Sequence, residues 1–393
     1  MPPVADDTAQ WASSGVVALT GHADGPPLVP PGDAAAVALR LARRLPFPVD
    51  GPALLAERAA FTGVTRRGTR SAGGHARLLP TADGWAAVSC ARPDDPALFG
   101  ALVESPIEGD PWPAITAWLA GHTGADLADR ATLLGLAATP VAPAPAVDLG
   151  AAPGRRVDGA LVVDFSALWA GPLCARLLGL AGARVVKVET PSRPDGARLA
   201  DAGFYRLLHA GHRSVVLDPA TRDGRAAMAG LVAAADFVVE ASRPRALAGF
   251  GLDARACAAA GTTWVSITAA GRASDRVGFG DDVAAGAGLV ARDAAGTPLF
   301  CGDALADPLT GLAAAVLALS APPGTLLDVP MAGVVAATLP PGPVGPAPAA
   351  EWAGGRWVVG GHEVRAPRHG EVTGTAPASG ADTAEVLREV GLS

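Results

Sequence analysis

Several groups of residues have types and spacings that could do chemistry. Asp303 lies in FCGDALADP (300–308), where Gly302 relieves backbone crowding and the preceding TPLF could deliver the carboxylate from a strand end. A carboxylate so placed can act as nucleophile or base. The same residue also suits the N-cap of the helical run that follows it, GDALADPLTGLAAAVLAL. Asp281 and Asp282 form a second acidic pair that the fold could bring near Asp303, and carboxylates buried together raise a pKa. They too could simply cap a helix.

The loop FSALWAGP (165–172) ends an apolar run and opens a helical one, so its backbone N–H groups could receive a phosphate. It is not GxGxxG, which leaves little support for NAD, and a tight strand-to-helix turn alone would explain Gly171 and Pro172. His209 and His212 sit with Arg213 in LLHAGHRSVVLD, either as a solvated loop or as an anion contact. His75, His362 and His369 show no HExxH-type spacing, so no metal is expected. GxSxG and GxxxxGK[ST] do not occur, which removes most support for a serine hydrolase or an NTPase.

The elements that must position these residues follow from periodicity. Apolar runs at 160–165, 183–188, 214–218, 236–240 and 263–269 alternate with helical stretches, including 222–234 and 245–259. That rhythm predicts an α/β fold: a Rossmann-like, doubly wound parallel sheet. Ligands in such sheets lie beyond the carboxyl ends of the strands, at 166–172, 189–198 and 240–245 here. Arg193, Arg198, Arg243 and Arg245 fall on those loops.

A smaller α+β domain is expected over 1–138, with helices at 33–44, 112–120 and 124–135 and a strand pair in ARLLPTADGWAAVSCA. Pro/Ala-rich segments read as linkers at 139–156 and 339–350. The sheet domain then spans 157–338, and linker plus tail helix span 339–393. Residues 6–38 also echo 281–316, sharing a paired-acid start, a G-x-PL landmark and a later Gly-Asp-Ala, as a duplication would leave.

The chain has 393 residues, 50% of them hydrophobic and a formal charge of −7, with Lys187 its only lysine. A nucleic-acid or anionic-membrane surface is not expected from that balance. There is no apolar run of about 18 residues and no basic and apolar leader, so a cytoplasmic protein is expected. The scattered Cys90, Cys174, Cys257 and Cys301 are expected to be buried reduced thiols.

In order along 158–335, VVDFSALWAGPLCARLLGLAGARVVKVETP, HRSVVLDP, DFVVEASRPRALAGFGLD, WVSITAAG, GDALADPLTG and GTLLDVPM resemble successive motifs of the family III CoA-transferases. That family includes formyl-CoA and carnitine CoA-transferases and α-methylacyl-CoA racemase. The segment GGHARLLPTADGWAAV and the helices after it resemble the family's small domain, which here comes first, a rearranged order.

The resemblance implies transfer of CoA between an acyl-CoA and a carboxylic acid through an aspartyl anhydride and an aspartyl-CoA thioester, with Asp303 at the matching nucleophile position. It implies that Gly73 and Gly74 form a mobile loop, and that Leu168, Trp169 and Ala170 cradle CoA. His212 replaces the usual lysine there. Thr190 and Gly249 stand where basic residues are expected, and Arg193, Arg213, Arg243 and Arg245 could substitute as phosphate partners. Asp33 stands where Asp303 stands in the second copy and is expected to be a relic. The family also implies a homodimer. An acyl-CoA racemase or epimerase using Asp303 with Asp281 or Asp282, and a degenerate acyl-CoA-binding scaffold, are the alternatives.

Overall fold

The computed structural model describes residues 5–150, 152–241 and 244–392. Its first helices are α1 (Ala5–Ser14) and α2 (Ala34–Ala42), joined by a loop that folds back where the Leu28 N–H donates to Thr20 O at 3.0 Å. Ala34–Ala38 and Leu41 bury nearly the whole of α2. Two one-turn helices follow, α3 (Gly51–Leu54), capped by the Asp50 carboxylate on Ala53 N, and α4 (Ala59–Thr62).

Next comes a small α+β unit. Strands β1 (Ala76–Pro80) and β2 (Trp85–Ser89) pair antiparallel, and β3 (Ala138–Pro140) joins β2. Helices α5 (Asp95–Leu102), α6 (Trp112–Ala120) and α7 (Gly124–Leu134) cover them, sharing a core of Val88, Phe99, Ile115, Leu119 and Leu127. A capping box between Thr123 and Asp126 starts α7.

The main sheet is built from β4 (Leu161–Asp164), α8 (Ala170–Leu180), β5 (Arg184–Glu189), α9 (Ala197–Ala200), α10 (Ala202–His209), β6 (Arg213–Val216), α11 (Arg222–Ala233), β7 (Phe237–Glu240), α12 (Pro244–Ala248), α13 (Ala254–Ala259) and β8 (Thr263–Thr268). After α14 (Gly280–Gly286) and the hairpin β9 (Val290–Arg292) and β10 (Pro298–Phe300), the long helix α15 (Ala306–Ser320) returns the chain to β11 (Leu326–Pro330) and α16 (Met331–Ala336). The six parallel strands run β11-β8-β7-β4-β5-β6. Chain order therefore reverses between β4 and β7, the switch point of a doubly wound sheet. Apolar cores cover both faces, which is why the inner strands read as continuous runs such as LVVD and TWVSIT.

The α/β expectation and its five apolar runs match this sheet. The 245–259 helix is instead two helices, α12 and α13, because Gly251 takes a left-handed turn at φ +86° between them. The division at 138 also differs. Trp11, Val17, Val37, Leu41 and Leu55 lie in the same core as α8 and α15, whereas the unit spanning 76–140 has its own. The 139–156 segment is not free of the body either, since Val147 and Leu149 pack on the main core and Val147 N–H donates to Gly333 O. The 339–393 segment holds a three-stranded meander, β12 (Glu351–Ala353), β13 (Arg356–Val359) and β14 (His362–Glu363), besides α17 (Thr383–Glu389).

The echo in the sequence has a structural counterpart. Helix, turned-back segment, Gly-Asp and helix recur as α1 to α2 and as α14 to α15, and α2 packs against α15. Cys174 and Cys301 are buried, while Cys90 and Cys257 are only half-buried, and all four are free thiols. No helix among the described residues is long and apolar enough to cross a membrane.

Gly171, in the first turn of α8, has no room for a side chain: a Cβ there would stand 2.1 Å from Ser166 Cβ. Gly171→Ala is therefore expected to cost about 2 kcal/mol by overpacking. An unchanged denaturation midpoint would show that the Ser166 loop yields freely.

Candidate active site

A cavity of about 270 Å³ opens at the switch point, beyond the carboxyl ends of the strands. Its wall is made by Ala167, Leu168 and Ala170 after β4, Ala241 after β7, Thr268 and Ala269 at the end of β8, and Met331 after β11. Arg193 after β5, Ser274 and Arg276 after β8, Arg92 of the α+β unit and Asp307 in the first turn of α15 bring the charge and polarity.

The β4–α8 loop is fixed from beneath. Lys187 on β5 is buried and pairs with Asp195 at 2.9 Å, lies 3.7 Å from Asp164, and donates to Ser166 O. Asp195 in turn accepts from Leu168 N (3.0 Å) and Ala197 N (2.9 Å), and Asp164 accepts from the Ser166 N–H and hydroxyl. This holds Leu168 at φ +69°, a conformation that costs an L-residue energy and gathers at functional sites. The side chain of Leu168 is left exposed at the cavity. The only lysine of the chain thus positions a loop.

Behind the cavity lies a carboxylate cluster. The Gly302–Ala304 turn presents Asp303 with positive φ at Gly302 (+69°) and Ala304 (+47°). Asp303 is fully buried and bound side-on by Arg58, from Nε at 2.8 Å and Nη2 at 2.5 Å. Against the downward pull of burial, Asp303 holds the Arg58 pKa above its usual value, and the guanidinium also lies 5.0 Å from the Trp169 ring centroid. Asp281 accepts from Ala304 N at 2.8 Å and from the Ser71 hydroxyl, and burial together with Asp303 pushes its pKa up to about 6. Asp282 bonds Ser89 Oγ (2.7 Å) and Phe279 N (2.9 Å), and burial raises it to about 6.

Asp307 differs from these. It lines the cavity, is only half-buried, and has its pKa pushed up to about 7 by burial and by Asp281 and Asp303, against the pull of Arg58. Gly280 leaves room for it, since a Cβ there would come within 2.3 Å of Asp307 Oδ2.

The structure thus brings Asp281 beside Asp303, as the spacing allowed, turns the neighbouring Asp282 to Ser89 and Phe279 instead, and seats Leu168, Ala170 and Arg193 at the cavity. It separates the remaining candidates. Asp303 caps no helix, the N-cap of α15 being Leu305. Trp169 is turned into the core, edge-on to Phe204 at 5.3 Å. Gly73 and Gly74 form a turn just after Ser71, outside the cavity lining. His212 and Arg213 stand at the amino end of β6, on the opposite edge of the sheet. His212 lines a separate cavity there, its pKa driven down to about 3 by burial and by Lys187 and Arg176, while Arg213 is paired with Glu389 and Glu385 of α17. Arg198 is held by Glu189, Arg245 by Asp275, and Asp33 by Arg40. Arg243 lies outside the described residues. Sequence reasoning missed Arg58, Asp307, Arg276, Arg92 and Lys187. Only Asp307 left a local signal, as an acid in the first helical turn four residues after Asp303.

A doubly wound sheet with a small charged cavity and a half-buried carboxylate at its switch point suits an enzyme that handles a nucleotide-bearing substrate. Residues 157–337 match the model of CoA-transferase family III. The chain is 30% identical over 216 residues to the succinate–glutarate CoA-transferase of Agrobacterium fabrum, covering 48% of this chain and 54% of that protein. It is 34% identical over 98 residues to a formyl-CoA:oxalate CoA-transferase of Escherichia coli, covering 23% and 24%. The chain thus spans about half or less of the length of these relatives. Among solved structures, a CAIB/BAIF family protein from Brucella suis matches with a TM-score of 0.42 at 26% identity, over 47% of this chain and 55% of that one. Hypothetical protein Rv3272 from Mycobacterium tuberculosis matches with a TM-score of 0.40 at 30% identity, over 47% and 57%.

Proposed function

We propose that this chain transfers CoA between an acyl-CoA and a carboxylic acid, with the switch-point cavity receiving the thioester end and Asp307 as nucleophile. The observation that carries the reading is that Asp307 is the carboxylate lining the cavity, whereas Asp303, the nucleophile expected from sequence, is fully buried and held at both oxygens by Arg58. The role of Asp303 is then to anchor Arg58, which tempers the negative charge around Asp307.

The chemistry runs through two anhydrides. The Asp307 carboxylate attacks the thioester carbonyl, the C–S bond breaks, and CoA leaves as thiolate. The thiolate attacks the aspartyl carbonyl of the mixed anhydride, releasing the first acid as carboxylate and leaving an aspartyl-CoA thioester. The acceptor carboxylate attacks that thioester and expels the thiolate again, which then attacks the new acyl carbonyl to give the second acyl-CoA and free Asp307. Lowering the water content around Asp307 strengthens it as a nucleophile, and burial at the cavity floor does this. Arg193, on the loop after β5 and without a side-chain partner among the described residues, supplies positive charge for a CoA phosphate.

Incubation with acyl-CoAs of several chain lengths, a hydroxylamine or borohydride quench and peptide mass spectrometry test this directly. The expected result is a modified Asp307. Modification of Asp303 instead would reverse the assignment. α-Proton exchange into the acyl group with no covalent adduct would turn the reading toward a racemase.

A further inference from the structure

Four arginines lie in TRRGTR and HAR (65–70 and 75–77). Arg66 is satisfied by the backbone, its guanidinium donating to His22 O, Ala18 O and Gly25 O at 3.0, 3.3 and 2.8 Å. Arg67, Arg70 and Arg77 form no ion pair and donate no side-chain hydrogen bond among the described residues. The backbone sets these three on one face. Leu78 N donates to Thr69 O at 2.8 Å and Ser71 N to Ala76 O at 3.0 Å, so Arg70 opposes Arg77 in a non-hydrogen-bonded antiparallel pair, the kind in which side chains come closest. The Gly68–Thr69 turn, with Gly68 at φ +66°, then places Arg67 opposite Arg70. Like charges directly opposed on one face are destabilising. Burial and Arg70 together lower the Arg77 pKa, Asp110 offsets this only in part, and the Arg77 guanidinium rests 4.4 Å from the Trp112 ring centroid.

Arg67 and Arg70 are exposed and Arg77 is half-buried, so this ladder of cations is open to solvent. It does not belong to the switch-point cavity, whose lining includes none of the three. Ser71, the next residue along the pleat, turns to the other face, where its hydroxyl bonds Asp281. One guanidinium suffices for one carboxylate, as Arg58 does for Asp303. Three on one face match an anion with several charges and several acceptor oxygens, which is the chemistry of a phosphate monoester or a diphosphate. We propose that Arg67, Arg70 and Arg77 form a second anion site, separate from the switch-point cavity, that binds a small phosphate-bearing anion. The site does not depend on the transferase reading above.

The test is calorimetric titration of the full chain with inorganic pyrophosphate at low ionic strength, where surface charge is least screened. Arg70→Gln is expected to weaken binding by about 10-fold or more, and Arg70→Lys to restore part of it, since lysine keeps the charge but not the planar fork. Arg222→Gln, which removes an exposed arginine at the start of α11, should leave the affinity unchanged. Competition separates the sources of the phosphate. Displacement of pyrophosphate by CoA but not by dephospho-CoA makes the 3′-phosphate of CoA the occupant, displacement by both makes it the diphosphate of CoA, and displacement by neither makes it a free phosphate or diphosphate. The proposal is overturned by a wild type that does not bind pyrophosphate, by an equal loss in Arg70→Gln and Arg222→Gln, or by succinate binding as tightly as pyrophosphate. Loss of binding in Arg193→Gln but not in Arg70→Gln would put the anion in the switch-point cavity and overturn it too. A second arm needs no ligand. Arg70→Gln should melt no lower than the wild type, because it relieves a like-charge contact. A lower Tm would mean that the three arginines already serve the fold, against the proposal.

Discussion

Asp307→Asn is expected to lower kcat/KM for acyl transfer by at least about 1,000-fold, because an amide of nearly the same shape cannot form the anhydride. The fold should survive the change. Burial and the nearby Asp281 and Asp303 already disfavour the charged form of Asp307, holding its pKa at about 7. The pH dependence carries a sign that a structural role would not produce. Attack requires the carboxylate, so kcat/KM should climb with pH and level off above about 7.

Stability should move the other way. Asp307 and Asp281 have native pKa values raised to about 7 and about 6, whereas in the unfolded chain an aspartate releases its proton near about 3.9. Between those values the native state binds more protons, so this contribution is complete below about pH 4 and is lost as pH rises through 6 and 7. A rate profile flat from about pH 5 to 8, or an Asp307→Asn protein that still turns over, would remove Asp307 from the role.

Arg58→Leu should be the most destabilising single change near the site, by about 3–5 kcal/mol. It leaves the fully buried Asp303 without a cation, beside Asp281 and Asp307. The double variant Arg58→Leu with Asp303→Leu should recover most of that loss, since two apolar groups of similar volume replace a buried pair at little net cost. Urea denaturation of the two single variants and the double variant measures the coupling. A double variant as unstable as Arg58→Leu alone would mean that Arg58 acts through Trp169 and the core, and not through Asp303.

The sheet was readable in the sequence because each of its inner strands is an apolar run of four to six residues, buried on both faces and bounded by a helix. The α12–α13 break was not, because two short alanine-rich helices and one long one have the same composition, and only the φ of Gly251 separates them. The shared core of α1–α4 with α8 and α15 was not readable either, since intervening residues 76–140 pack mainly among themselves.

At the site, Asp281 and Asp303 stood out by their glycine and paired-acid settings, and the loop after β4 by its strand-to-helix position. Arg58 and Arg276 lie in stretches with several other arginines, and nothing local distinguishes the one that is buried from those that face solvent. His212 and Arg213 illustrate the reverse error. A basic pair next to a strand suggests an anion site, but His212 precedes β6 and Arg213 opens it, and in a parallel sheet that puts them at the edge opposite the switch-point cavity.

The Arg58–Asp303 contact joins residues 245 positions apart in the chain. Such a contact closes a very long loop, and it can form only after Asp303 has been synthesised. During translation α1–α4 must wait with their apolar faces uncovered until α15 arrives, so refolding should be slow and prone to association at high concentration. A chain of this design is vulnerable while it is being made, even though its finished centre is among the most deeply enclosed parts of the molecule.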